Sequence, residues 1–332
     1  MGDYKKQHYV PRSYLKAWSS DGQRIWMFDK DRSEFKYVGI GSVAQETYFN
    51  DAFRRIRGQV TDGEPSDIVE RQFQIWENEF LTMRQVALDV AANRREGTLE
   101  ERGMMATCAA LQLLRTAKTR SVLIREGEEA QLGYTNRLID WLDETMQERI
   151  LHKPGFARKH ISVIQACLLW NTDIIAHIAT ELYHYIWVIA KNLTAFPFYT
   201  SDAPIAALTH NTQQPPFYPT PHEYSEASSG MYLVKRLFCD DPLKGGLELI
   251  FPVSPECALL MFHPLDFKNE LADNQGKVLV VGAESVLIRN AAIAAAAVRQ
   301  VLSLTDDFRV ANAVARHMTS ESDEDRNAHV EM

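Results

Sequence analysis

Apolar residues return every three or four positions through the first half of this chain, and every second position or without a break through most of the second half. Val69, Phe73, Trp76, Phe80, Met83 and Val86 share one helical face, which predicts a helix to about Asn93. Ser66-Asp67 ahead of Glu70 supplies its N-cap. A second helix is expected from about Thr98 through Met104, Met105, Cys108, Leu111 and Leu114. A third is expected over 128–150, closing before Lys153-Pro154-Gly155, and a fourth over 158–181. Ahead of this helical middle, Tyr14, Leu15 and Trp18 predict a short helix behind Pro11, with His8 in its extended lead-in. Asp21-Gly22 marks a turn, then Ile25–Phe28 and the alternating Glu34–Val38 read as a hairpin. A short strand is expected at Glu46–Asn50 and a loop over 57–66.

The pattern changes at Tyr183. Tyr183–Ile189 and Phe196–Thr200 are aromatic and β-branched, and read as two antiparallel strands joined through Asn192. Residues 210–230 are proline-rich and predict a long surface loop. Met231–Val234, Leu247–Val253, Ala258–Phe262 and Val278–Val281 read as further strands, several apolar throughout and so covered on both faces. Glu284 to about Val301 is alanine-rich and helical, Leu302–Thr305 reads as one more strand, and Asp306–Met318 as a last helix. The expected fold class is α+β: an N-terminal hairpin, a helical middle segment, and an antiparallel or mixed sheet in the C-terminal half. The expected organisation is one domain over 1–318, helix-rich at 65–182 and strand-rich at 183–305, followed by an acidic disordered tail at 319–332.

Composition narrows the function classes. The 332 residues carry a net charge of −8, which gives nucleic acid no global basic field to follow. Cys108, Cys167, Cys239 and Cys257 are far apart and form no CxxC pair, as in a reducing compartment. The first residues contain no apolar segment of a signal peptide and no later stretch is long and apolar enough for a membrane span, so a cytoplasmic location is expected. Phosphate-binding loops, dinucleotide fingerprints, nucleophile elbows and zinc motifs are all missing.

Several short motifs fall in an ordered series: His8-Tyr-Val-Pro11 with Tyr14-Leu15, Ile25-Trp26 leading to Asp29-Lys30, and Leu113-Leu-Arg-Thr116 with Arg120. Phe198-Tyr-Thr-Ser-Asp202-Ala-Pro204, Phe251-Pro-Val-Ser-Pro255 and Asn290 complete it. In this order and spacing, over residues 5 to 305, the chain resembles the bacterial domain-of-unknown-function family 4238. The resemblance implies a fold and a set of positions, and no reaction. Where that family's pattern has Asn between Asp and Pro, this chain has Ala203, and Val253 stands where Leu is usual.

The motifs single out His8, Arg115, Asp202 and Asn290 as the candidate catalytic constellation. Histidine shuttles protons near neutral pH, aspartate acts as base or metal ligand, and arginine matches phosphate with its planar fork. The competing reading is a buried network, with Asp202 capping its own turn and Arg115 neutralising it. Two functions stay open on these residues: a hydrolase of phosphoester or nucleic-acid substrates, or a non-catalytic binding or sensor module of a bacterial defence or toxin operon. No cofactor is named and the metal is left unassigned. On a helix Arg120 lies about 140° from Arg115 and Lys118 about 60° from it, so these residues form no single phosphate-binding face. His177, Glu181 and His184 fall within about 60° of one another on a helix, but a second ExxH, needed for a di-iron site, is missing.

Overall fold

The computed structural model describes residues 6–47, 68–130, 172–210 and 246–318, together with Ile161, Gln165, Leu168 and Leu169. The lead-in is strand β1 (Lys6–His8), and α1 (Arg12–Leu15) continues as a 3₁₀ turn at Lys16–Trp18. Pro11 stands at the N-cap, its carbonyl accepting from the Leu15 N–H. Gly22 then takes φ +70, a turn conformation open to glycine, and delivers the chain into β2 (Arg24–Asp29). β3 (Glu34–Gly39) pairs antiparallel with β2 as the alternation predicts, and β4 (Gln45–Thr47) pairs with β1.

The helical middle contains α2 (Ile68–Ala91), α3 (Leu99–Leu114) and α4 (Ala117–Ala130). Thr98 and Glu101 exchange hydrogen bonds with each other's backbone N–H, a capping box that fixes the start of α3. α5 (Thr172–His184) leads directly into β5 (Ile186–Asn192), followed by β6 (Thr200–Ser201), β7 (Ala206–Thr209), β8 (Leu247–Ser254) and β9 (Cys257–Phe262). α6 (Pro264–Leu271), β10 (Val278–Val281), α7 (Ala283–Ala296), β11 (Gln300–Ser303) and a helix over 309–318 complete the described chain. The hairpin, helical middle and mixed C-terminal sheet make this an α+β fold.

Two larger sheets carry the strands. One runs β10-β5-β9-β8-β7, antiparallel except for the parallel pair β10 and β5. The other runs β3-β2-β11-β6, so the N-terminal hairpin is closed by a strand from near residue 300. On β8 and β9, Leu249, Phe251, Leu259 and Met261 pack among helices α2, α3 and α5, while Ile250, Ala258 and Leu260 pack on the opposite face among residues of α7 and β11. The period-two alternation thus buries both faces, which is why these strands are apolar throughout. Each of these side chains larger than Ala258 contributes about 1.5–3 kcal/mol by leaving water.

Several expectations are corrected. Tyr183 lies in α5, and Phe196–Thr200 does not pair with the strand before it: β5 and β6 belong to different sheets. The reason is visible at Asn192, whose side-chain amide donates to the carbonyls of Phe196 and Pro255 and so turns the chain from one sheet toward the other. α7 stops at Ala296, and the following strand starts earlier than its apolar pattern suggests, at Gln300. The helix through Arg115 is broken between α3 and α4, so the angles of an unbroken helix do not apply across it. The expected loops at 57–66 and past His210 to 230, the Ser66-Asp67 cap, the 128–150 helix past residue 130, most of the 158–181 helix, the strand at Met231–Val234 and the tail at 319–332 lie outside the described residues.

Candidate functional site

The stretch Phe196 to Ala203 crosses from one sheet to the other with little strand pairing of its own, so side chains from distant elements take up its backbone groups. From α7, Asn290 accepts from the Tyr199 N–H at 2.8 Å and donates to the Pro197 carbonyl at 2.9 Å. Trp18 donates its indole N–H to the Phe198 carbonyl at 2.7 Å. The Tyr14 hydroxyl donates to the Pro252 carbonyl and meets Thr200 Oγ1, each at 2.7 Å, joining β8 to β6. These partners are buried, where an unmatched amide is costly.

Asp202 completes the clamp. Its Oδ1 accepts from the Val298 N–H at 2.9 Å, and its Oδ2 from the N–H groups of Arg299 and Gln300 at 2.8 and 2.9 Å. The side chain therefore anchors the turn between α7 and β11. The expected pairing with Arg115 is replaced by this three-amide pocket, because burial there rewards donors already fixed in place. Burial pushes the carboxyl up to about 6, against the pull of the three amides and of Lys30. Asp29 and Lys30 hold the same turn from outside: Lys30 Nζ donates to the carbonyls of Ala294 and Ala297 at the end of α7, and Asp29 accepts from Arg299.

His8 and Arg115 form a second group. Arg115, 4% exposed at the end of α3, donates to the His8 carbonyl at 3.0 Å and stacks over Phe73 at 4.1 Å, with Glu77 at 3.4 Å. Burial, with the charges of Arg12 and Arg115, lowers the His8 imidazole to about 4, so it is neutral at pH 7. Its Nε2 is buried with no hydrogen-bond partner. Nearby, Gln165 bridges the break between α3 and α4, donating to the carbonyls of Leu114 and Thr116 and accepting from Arg120. Ala203 lines a recess with Gln112, Thr116 and Thr119, with room for about one water molecule (~10 Å³). The predicted four thus fall into two pairs: Asp202 on the crossing stretch with Asn290 of α7 holding that stretch, and Arg115 at the end of α3 with His8 of β1.

One cluster escaped the sequence reading. Glu248 on β8 is 0% exposed, accepting from Arg289 Nε at 2.8 Å and meeting His210 Nε2 at 2.7 Å. The visible signal was a charge inside an otherwise apolar strand. His177, Glu181 and His184 do lie together on α5, and burial raises the Glu181 carboxyl against the charges of His177, His184 and His263. Among the described residues no group of three His, Cys, Asp or Glu could hold a metal ion. Cys108 and Cys257 are buried free thiols, pushed up to about 12 by burial, while Cys167 and Cys239 lie outside the described residues. No described helix is long and apolar enough to cross a membrane.

Fold and site together define an α+β protein whose polar centre clamps one crossing segment of backbone. The family profile described as "Protein of unknown function (DUF4238)" matches residues 6–307, and the chain belongs to that family. No curated protein and no solved structure matches it.

Proposed function

We propose that this protein is a non-catalytic binding module in which Asp202 and Asn290 are scaffold, with His8 and Arg115 bracing the N-terminal segment against α3. The observation that carries this reading is that both Asp202 oxygens are taken by backbone amides at 2.8–2.9 Å, in a group 1% exposed. A metal ligand or general base must come within hydrogen-bond reach of its target, and a carboxylate 1% exposed behind three backbone amides is closed to one. One working unit over residues 1–318 agrees with the pairing of β2 near the N-terminus with β11 near residue 300. The other reading, a phosphoester or nucleic-acid hydrolase, draws on the unpartnered Nε2 of His8 beside Arg12 and Arg115.

The test is turnover. Purified protein is incubated with a phosphomonoester, a phosphodiester, DNA and RNA, each with Mg²⁺ or Mn²⁺. The expected outcome is no turnover that depends on these four residues. Metal-dependent hydrolysis that disappears in a folded Asp202→Asn variant would overturn the proposal in favour of the hydrolase.

A further inference from the structure

Glu248 sits on the α7-facing side of β8, fully buried, and one guanidinium already balances its charge: Arg289 Nε at 2.8 Å from Oε1. Charge balance asks for no second cation there. Yet His210, at the end of β7, places Nε2 2.7 Å from the other carboxylate oxygen while its side chain remains 38% exposed.

The ring is fixed from three directions. Its Nε2 meets Glu248. Its face or edge packs against Phe267 at 5.4 Å between centroids and 90° between planes. Its backbone N–H donates to the Gly246 carbonyl at 2.8 Å, and Gly246, at φ +73, lies so close that an added Cβ would stand 2.2 Å from the His210 carbonyl oxygen. Holding a partly exposed imidazole in this way carries an entropy cost that surface ion pairs seldom offset. Oriented imidazoles of this kind have a defined chemistry. In a neutral ring, a carboxylate on Nε2 keeps the proton on that nitrogen and leaves Nδ1 as the acceptor.

Two polar atoms are left over. Among the described residues His210 Nδ1 has no hydrogen-bond partner, and Arg289, whose Nε and Nη1 are engaged by Glu248 and Ser285, has none at Nη2. Both groups hang on opposite oxygens of the same carboxylate, which holds the imidazole and the guanidinium beside one another. An oxyanion suits the guanidinium donor. A proton on that oxyanion suits Nδ1. A phosphate monoester offers both, since its second ionisation lies near pH 6 and one proton can be shared with an imidazole.

Resting on the binding-module reading, we propose that His210 and Arg289, joined through Glu248, form the ligand site of this protein, and that the site takes a phosphate monoester. The site is separate from the Asp202 clamp, so turnover at Asp202 and binding at His210 succeed or fail independently.

The experiment uses the full chain, inorganic phosphate as probe, and diethyl pyrocarbonate as a reagent for unprotonated imidazole, read residue by residue by mass spectrometry. Phosphate is expected to slow modification of His210 about tenfold, at millimolar concentrations fitting one oxyanion contact, and to leave exposed His184 unchanged. Sulfate, which carries no proton at this pH, is expected to protect less. Arg289→Lys should abolish protection, because a point charge does not replace the fork. Should that variant fail to fold, His210→Gln serves instead: calorimetric phosphate affinity should fall about tenfold, since the exposed ring contributes little to folding. Equal modification of His210 with and without phosphate overturns the proposal. So does equal protection by sulfate, undiminished protection in folded Arg289→Lys, or undiminished affinity in His210→Gln.

Discussion

Asp202 and Glu248 are both out of contact with water, at 1% and 0% exposure, and the fold holds them in different ways. Asp202 is held by three consecutive backbone N–H groups, which have no freedom to go elsewhere. Glu248 is held by two side chains, one of them 38% exposed and both with an atom to spare. Backbone donors make a carboxylate part of the scaffold, because breaking the contact means breaking the turn. Side-chain partners can present their unused atoms to a ligand without disturbing a strand. The motif-rich stretch around Asp202 is thus the frame, and the less conspicuous Glu248 cluster is the surface the frame holds in place.

The largest test of this contrast is Asp202→Ala. Three amide N–H groups lose their acceptor at about 1–3 kcal/mol each. Removal of a buried charge offsets part of that at pH 7, so the net loss there is about 3 kcal/mol. The pH dependence has a definite sign. Burial raises the folded carboxyl from 3.8 to about 6, so between these values the folded state binds more protons than the unfolded state. Asp202's contribution is fully present below about pH 4 and declines as pH rises through 6, by up to about 3 kcal/mol. The alanine variant should therefore lose more, relative to wild type, at pH 4.5 than at pH 7 in paired urea melts. A difference that shrinks on acidification would mean that the three amides outweigh burial and hold Asp202 ionised.

Asn290→Ala comes next. It removes the acceptor of the buried Tyr199 N–H and the donor to the half-buried Pro197 carbonyl, for an expected loss of about 2–3 kcal/mol. Asn290→Asp sharpens the point. The acceptor for Tyr199 survives, but a carboxylate oxygen then faces the Pro197 carbonyl, and the variant should be at least as unstable as alanine. If aspartate were tolerated better, the side chain would not be a clamp.

What the sequence made legible follows from the range of each interaction. The β2–β3 hairpin and the start of α3 at Thr98 rest on neighbours a few residues apart, and the local pattern revealed them. The crossing stretch misled because an aromatic run such as Phe196–Thr200 looks like a strand whether strand backbone or the amides of Asn192 and Asn290 satisfy it. Asp202 was singled out as a candidate catalytic residue, with a buried network as the competing reading; the carboxylate is buried at 1% exposure. Its partners lie 96 to 98 residues away and are main-chain groups, which leave no trace in side-chain identity. Arg115 was drawn toward it by charge alone, whereas the guanidinium serves the His8 carbonyl and Glu77. Glu248 announced itself as a charge in an apolar strand, but its partners needed the β7–β8 register and the packing of α7 to be found.

The smallest expected effect is the most decisive for the contrast. His210→Ala removes one of two partners from Glu248, and Arg289 remains at 2.8 Å to hold the carboxylate. The lost contact is partly exposed and within reach of water, so the stability change should stay below about 1 kcal/mol. The Phe267 contact adds little, because it is one edge-to-face pairing of a partly exposed ring. A small value fits an imidazole that is positioned by the fold without supporting it. A loss of about 2–3 kcal/mol, matching Asn290→Ala, would place His210 among the clamps. The two buried carboxylates would then be alike, both of them scaffold, and the division between frame and ligand surface would fall.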